Sequence, residues 1–68
     1  MKYLVVFEEA PSNWSAYVPD LPGCVAAGKT RVEVGRLIRE AIEFHLEGMR
    51  KAGEPIPEPS SSVELVEV

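Results

Sequence analysis

The chain has one cysteine in 68 residues, so it cannot close an internal disulfide, and one histidine, so it lacks a His/Cys cluster with the spacing of a structural metal site. It has no glycine-rich phosphate loop. Positive charge is scarce and scattered: 7 Lys and Arg stand against 11 Asp and Glu, for a net charge of −4. That balance is a poor match to a phosphate backbone and a good one to a basic protein, so direct nucleic-acid binding is not expected. Long apolar runs are missing too. Tyr3-Leu4-Val5-Val6-Phe7 is followed at once by Glu8 and Glu9, too short for a signal peptide or a membrane span. A cytoplasmic protein with no membrane contact is the expectation, and no cofactor is called for. A domain of this size buries only about 60% of its unfolded surface. With neither disulfide nor metal to staple it, association is the common remedy, and a homo-oligomer, dimer or tetramer, is expected.

The sequence does contain one well-punctuated helix, from about Val32 to Arg50. Thr30 and Glu33 form a Thr-x-x-Glu capping box at its start. Lys51, Gly53 and Pro55 mark its end. At 100° per residue, Val34, Leu37, Ile38, Ala41, Phe44, His45 and Met49 share one apolar face with Ile42 at its edge. Leu46 falls outside that arc, as an exposed leucine or a protomer contact. Arg36–Glu40 and Arg39–Glu43 are spaced to attract across the polar face. Gly35 is read as close packing in the first turn or as simple tolerance.

Around the helix the pattern is extended. Residues 2–9 alternate, with Tyr3, Val5 and Phe7 on one side and Leu4, Val6 and Glu8 on the other. Ala10-Pro11-Ser12-Asn13 is a turn, in which Asn13 tolerates a left-handed backbone. Trp14–Val18 is a second strand, with Trp14, Ala16 and Val18 on one face and Ser15 and Tyr17 on the other. Pro19-Asp20-Leu21-Pro22-Gly23 interrupts it, Pro-Gly signalling a type II turn. Cys24–Lys29 is a weak third strand whose small residues let the helix lie close. Residues 52–62 form a stiff Pro/Ser-rich linker, and 63–68 a terminal strand. The whole chain, 1–68, is then one domain, with three strands and the helix in 2–50. The expected fold is α+β, β-β-β-α-β, with one helix on a four-stranded mixed sheet in the order 3-2-1-4. Its far face is left bare, with Leu4, Val6, Tyr17 and Val66 as candidates to lie there.

Little here suggests chemistry. His45 reads as a packed histidine, because general acid–base work needs a second group in reach. Cys24, with no basic neighbour or second thiol, reads as a small buried hydrophobe. Asp20 with Glu8 or Glu9 has the composition of a divalent-ion site, although a turn bond or solvation explains each carboxylate more simply. Trp14 and Tyr17 are either core or interface anchors.

Taken together, the segments Tyr3–Val18, Tyr17-Val18-Pro19-Asp20-Leu21-Pro22-Gly23-Cys24, Gly28-Lys29-Thr30 and Ile38-Arg39-Glu40-Ala41-Ile42-Glu43-Phe44-His45-Leu46-Glu47 resemble the HicB-like antitoxin family. The likeness is strongest over residues 3–50 and corresponds to a short form without the C-terminal DNA-binding domain of larger relatives. The resemblance implies a partial RNase H-like fold. It also implies a partner, a small basic HicA-like toxin that degrades mRNA, which the antitoxin binds and masks without catalysis of its own. Candidate partner-binding residues are Glu8, Glu9, Trp14, Tyr17 and Asp20. Two alternatives compete: an orphan oligomeric regulatory module, and a remnant metal-dependent nuclease-like domain.

Overall fold

A computed structural model describes all 68 residues. Strands β1 (Val6–Glu9), β2 (Trp14–Tyr17) and β3 (Val25–Gly28) precede one long helix, α1 (Arg31–Lys51). The strands form an antiparallel meander in the order β1-β2-β3. Phe7 lies opposite Ala16, and Ala16 opposite Ala26. Side chains alternate along each strand, so Phe7, Trp14, Ala16, Ala26 and Gly28 share the face that the helix covers. β1 is shorter than its apolar run. Continuing the register would set Leu4 against Pro19, which has no N–H to donate. The hairpin tip closes with Ala10 N–H donating to Asn13 O at 2.8 Å. No residue other than glycine has a positive φ, so Asn13 is not left-handed.

The connection from β2 to β3 is as structured as its prolines demand. Val18 N–H bonds Cys24 O, Leu21 N–H bonds Val18 O, and Cys24 N–H bonds Leu21 O, at 3.2, 3.0 and 3.1 Å. Gly23 sits at φ +85°, as the third position of a type II turn requires. The turn drives Leu21 inward, where it is wholly buried with Ala16, Val18, Cys24, Val34 and Ile38. Burying a leucine side chain contributes about 1.5–3 kcal/mol, so a connecting loop supplies a large share of this small core.

Both ends of α1 are capped. Thr30 Oγ1 accepts from Glu33 N–H at 3.1 Å. Glu33 reaches back to Lys29 N–H at 3.0 Å, one residue before the position a standard capping box uses. At the other end Glu54 N–H bonds Met49 O and Gly53 N–H bonds Arg50 O, with Gly53 at φ +72°, a Schellman motif. The buried face differs from the one the spacing predicts. Phe44 is 81% exposed, whereas Ile42 and Leu46 pack on the core. The helix is therefore rolled by about 40° toward the Ile42–Leu46 side. Of the expected ion pairs, Arg36–Glu40 forms at 3.2 Å, while Glu47 pairs with Lys51 at 3.3 Å and Arg39 pairs with neither neighbour.

The expected four-stranded mixed sheet of partial RNase H-like type is overturned. The sheet has three strands, all antiparallel, and residues 63–68 join no ladder. The chain after the helix explains why. The Tyr3 hydroxyl donates to Pro57 O, and Asp20 receives Ser60 and Ser61. Tyr3 precedes β1 and Asp20 follows β2, so the linker crosses the end of the sheet and has passed the β1 edge before Val63 is reached.

Candidate functional site

Two apolar surfaces remain open around this core. The first is the sheet face away from the helix. The register lines up Val6, Tyr17 and Val25 in one row and Glu8, Ser15 and Ala27 in the next. Val25 is 64% exposed and Tyr17 41%. A valine and a tyrosine at that exposure, beside half-buried Leu4 and Val6, make a patch of the kind that marks an interaction site. Within these two rows the one charge is acidic, from Glu8.

The second surface is a groove of about 660 Å³ between the free edge of β1 and the outer flank of α1. Tyr3, Val5, Phe7, Ile38 and Ile42 form its floor, and Arg31, Arg36 and Arg39 stand on its helical rim with Glu40 and Glu43. The Arg31 guanidinium lies over the Phe7 ring, 3.3 Å from its centroid. A Cβ on Gly35 would come within 3.3 Å of Arg31 Nη1, so the glycine in the first helical turn gives the guanidinium room to reach the ring. Such a cation–π contact is worth about 0.5–1 kcal/mol at an exposed site.

The expected site residues divide between these surfaces and the interior. Glu8 and Tyr17 lie on the open sheet face. Glu9 is exposed at the end of β1, opposite Trp14. Trp14 is half-buried and packs on the core. Asp20 has a different occupation. Its Oδ2 accepts from the backbone N–H groups of Ser60 and Ser61, both at 3.0 Å, and its Oδ1 from their hydroxyls at 3.1 and 2.8 Å. These bonds favour the charged carboxylate, the Ser61 and Ser60 backbone donors most strongly, and lower its pKa from 3.8 to about 2. Both oxygens are engaged in holding the C-terminal segment. No three His, Cys, Asp or Glu side chains gather where a metal ion would need them. Cys24 is buried, and loss of solvation raises its thiol pKa, the reverse of what a nucleophile needs.

Sequence reasoning missed several contributors. Val25 was hidden in a segment that reads as weak strand. The arginine rim was legible as a polar helix face, but not as the border of a groove. Ser60 and Ser61 gave no signal, because two serines after a run of prolines read as linker.

A three-stranded antiparallel sheet backed by one helix, with open apolar surfaces on both, defines a small α+β module. The chain belongs to the HicB-like antitoxin family: the family described as HicB-like antitoxin of bacterial toxin-antitoxin system matches residues 3–67. It is 40% identical over 57 residues to an uncharacterized 14.9 kDa protein in the rep-hol intergenic region of Haemophilus phage HP1, covering 84% of this chain and 43% of that protein. It is 34% identical over 73 residues to antitoxin HicB 2 of Photorhabdus laumondii, covering all of this chain and 50% of the relative. The chain thus spans half or less of these two curated relatives. Among solved structures, a chain of the HicA3 and HicB3 toxin-antitoxin complex is similar with a TM-score of 0.73 and 28% identity, over 88% of this chain and 70% of that one. No helix is long and apolar enough to cross a membrane.

Proposed function

We propose that this protein is an antitoxin that binds and neutralises a small basic, mRNA-cleaving toxin of the HicA type in the cytoplasm. The observation that carries this reading is the family match over residues 3–67, supported by likeness to a chain of a solved toxin–antitoxin complex. The physics is compatible with it. A chain of net charge −4 attracts a basic partner, and the open sheet face presents Tyr17 and Val25 as apolar anchors beside Glu8. In this reading Glu8 and Tyr17 touch the toxin directly and Glu9 adds charge from the strand end. Trp14 and Asp20 hold the surface in shape from within, Trp14 from the core and Asp20 from the tail. The antitoxin also self-associates, as a dimer or tetramer, which would cover apolar surface that one chain leaves in water.

The test is capture from native extract with the tagged 68-residue chain, followed by an RNA-cleavage assay on what is recovered. A small basic protein that cleaves RNA when free and stops when bound is the expected result. Tyr17→Ala should then weaken the complex by about 2 kcal/mol, as loss of an aromatic anchor does, and Glu8→Lys should slow association. A captured toxin that cleaves RNA equally well in the complex would remove the proposal.

A further inference from the structure

Between Pro55 and Ser62 the chain is fastened to the domain at two points. The first is neutral: the part-buried Tyr3 hydroxyl donates to Pro57 O at 2.5 Å. The second is the Asp20 clamp, in which one carboxylate accepts from the N–H groups and hydroxyls of Ser60 and Ser61. The two points lie side by side. The register that pairs Val6 with Tyr17, carried past the ladder, sets Tyr3 opposite Asp20. Only Glu58 and Pro59 stand between Pro57 and Ser60, and Ile56, Pro57 and Pro59 are half-buried. Proline at 55, 57 and 59 fixes φ at each position. The span is therefore stiff, and each anchor raises the effective concentration of the other. Tyr3 also has a second role. Its ring packs on the core and lines the β1–α1 groove with Val5 and Phe7. A part-buried hydroxyl that loses its acceptor turns to water for a partner, so the bond to Pro57 holds the ring in the groove.

We propose that residues 57–61 are a latch on this groove: the Asp20 clamp keeps Pro57 on the Tyr3 hydroxyl, and release of either anchor frees the Tyr3 ring and opens that end of the groove. Asp20 is the stronger anchor, because bonds to a charged acceptor exceed a single neutral one. The two anchors communicate through the strap rather than through the sheet. The β1–β2 ladder begins at Val6 and Tyr17, and no backbone bond joins Tyr3 to Asp20. The latch requires neither a toxin nor a second copy of the chain.

The experiment uses the whole chain at neutral pH, followed by nuclear magnetic resonance, with helix content from circular dichroism. Tyr3→Phe removes one hydroxyl from the far anchor. Exchange of the Ser60 and Ser61 amides should then speed up about threefold to tenfold, the effect of losing one hydrogen bond, with helix content unchanged. Asp20→Asn tests the reverse direction. It should shift the Tyr3 ring signals and let a neutral paramagnetic cosolute broaden the Val5 methyl signals more than in wild type. Ser61→Ala, which leaves the Asp20 charge in place, should do the same to a smaller degree. Combining Tyr3→Phe with Asp20→Asn should open the groove no further than Asp20→Asn alone, as two parts of one device behave. Wild-type protection of the Ser60 and Ser61 amides in Tyr3→Phe, or Val5 methyls no more broadened in Asp20→Asn, overturns the latch and leaves two independent contacts.

Discussion

β3 and the terminal segment 63–68 are both short, and both leave valines in solvent, yet one is a sheet strand and the other pairs with nothing. By side-chain preference the order should be reversed. Val-Ala-Ala-Gly is a poor strand, whereas Val-Glu-Leu-Val-Glu-Val, though its alternation is imperfect, has the β-branched content of a strand. What separates them is delivery. The bonded turn from Val18 to Cys24 sets β3 against the β2 edge at small cost in loop closure. The small side chains of β3 then let α1 close over it: a Cβ on Gly28 would meet Glu33 Oε1 and lie 3.2 Å from Val34 Cγ2. The terminal segment is brought instead past the end of the sheet.

If delivery decides, damage to the turn that delivers β3 should have the largest effect. Leu21 is that turn's buried anchor. Leu21→Ala should destabilise the fold by about 3 kcal/mol, read as the shift in urea midpoint at fixed protein concentration. Next in size is the close approach at β3. Gly28→Ala forces Glu33 off Lys29 N–H and crowds Val34, and should cost about 1–3 kcal/mol. A Gly28→Ala chain as stable as wild type would show that the helix does not depend on β3 for its seat. Smaller again is the helix start beyond β3. Thr30→Ala removes the Oγ1 acceptor for Glu33 N–H and should cost about 1 kcal/mol, with Thr30→Ser restoring most of it.

The parts that were legible in the sequence are those with local punctuation. Thr30, Glu33, Gly53 and the Pro22-Gly23 pair each specify a backbone geometry by themselves, and the helix, its caps and the type II turn follow from them. Of the four candidates for the open face, Val6 and Tyr17 pair there across β1 and β2, while Val66 joins no ladder. The roll of the helix was not legible, because Phe44 and Leu46 differ only in which of them meets the sheet, and that depends on packing around Leu21 and Ile38. Nor was the fate of residues 63–68, because a strand needs an edge within reach and sequence does not say where the linker leads. The role of Asp20 lay hidden for a related reason: its partners are 40 and 41 residues away.

That carboxylate gives the smallest expected effect and the most selective one. β3 is held by backbone ladder bonds that do not titrate, whereas the tail is fastened at Asp20 by bonds that need a charged acceptor. Because the folded pKa is depressed, the clamp's contribution is fully present above the ordinary 3.8 and is lost as pH falls toward about 2. Protection of the Ser60 and Ser61 amides, relative to their intrinsic exchange rates at each pH, should therefore be lost through that window, before β3 amides lose theirs. Asp20→Asn should reproduce the acid behaviour at neutral pH, since a neutral amide oxygen is the weaker acceptor and its NH2 offers the serine N–H groups nothing. If Ser60 and Ser61 exchange slowly in Asp20→Asn at neutral pH, the clamp is not what carries the segment past the β1 edge, and the linker's prolines alone must set its course.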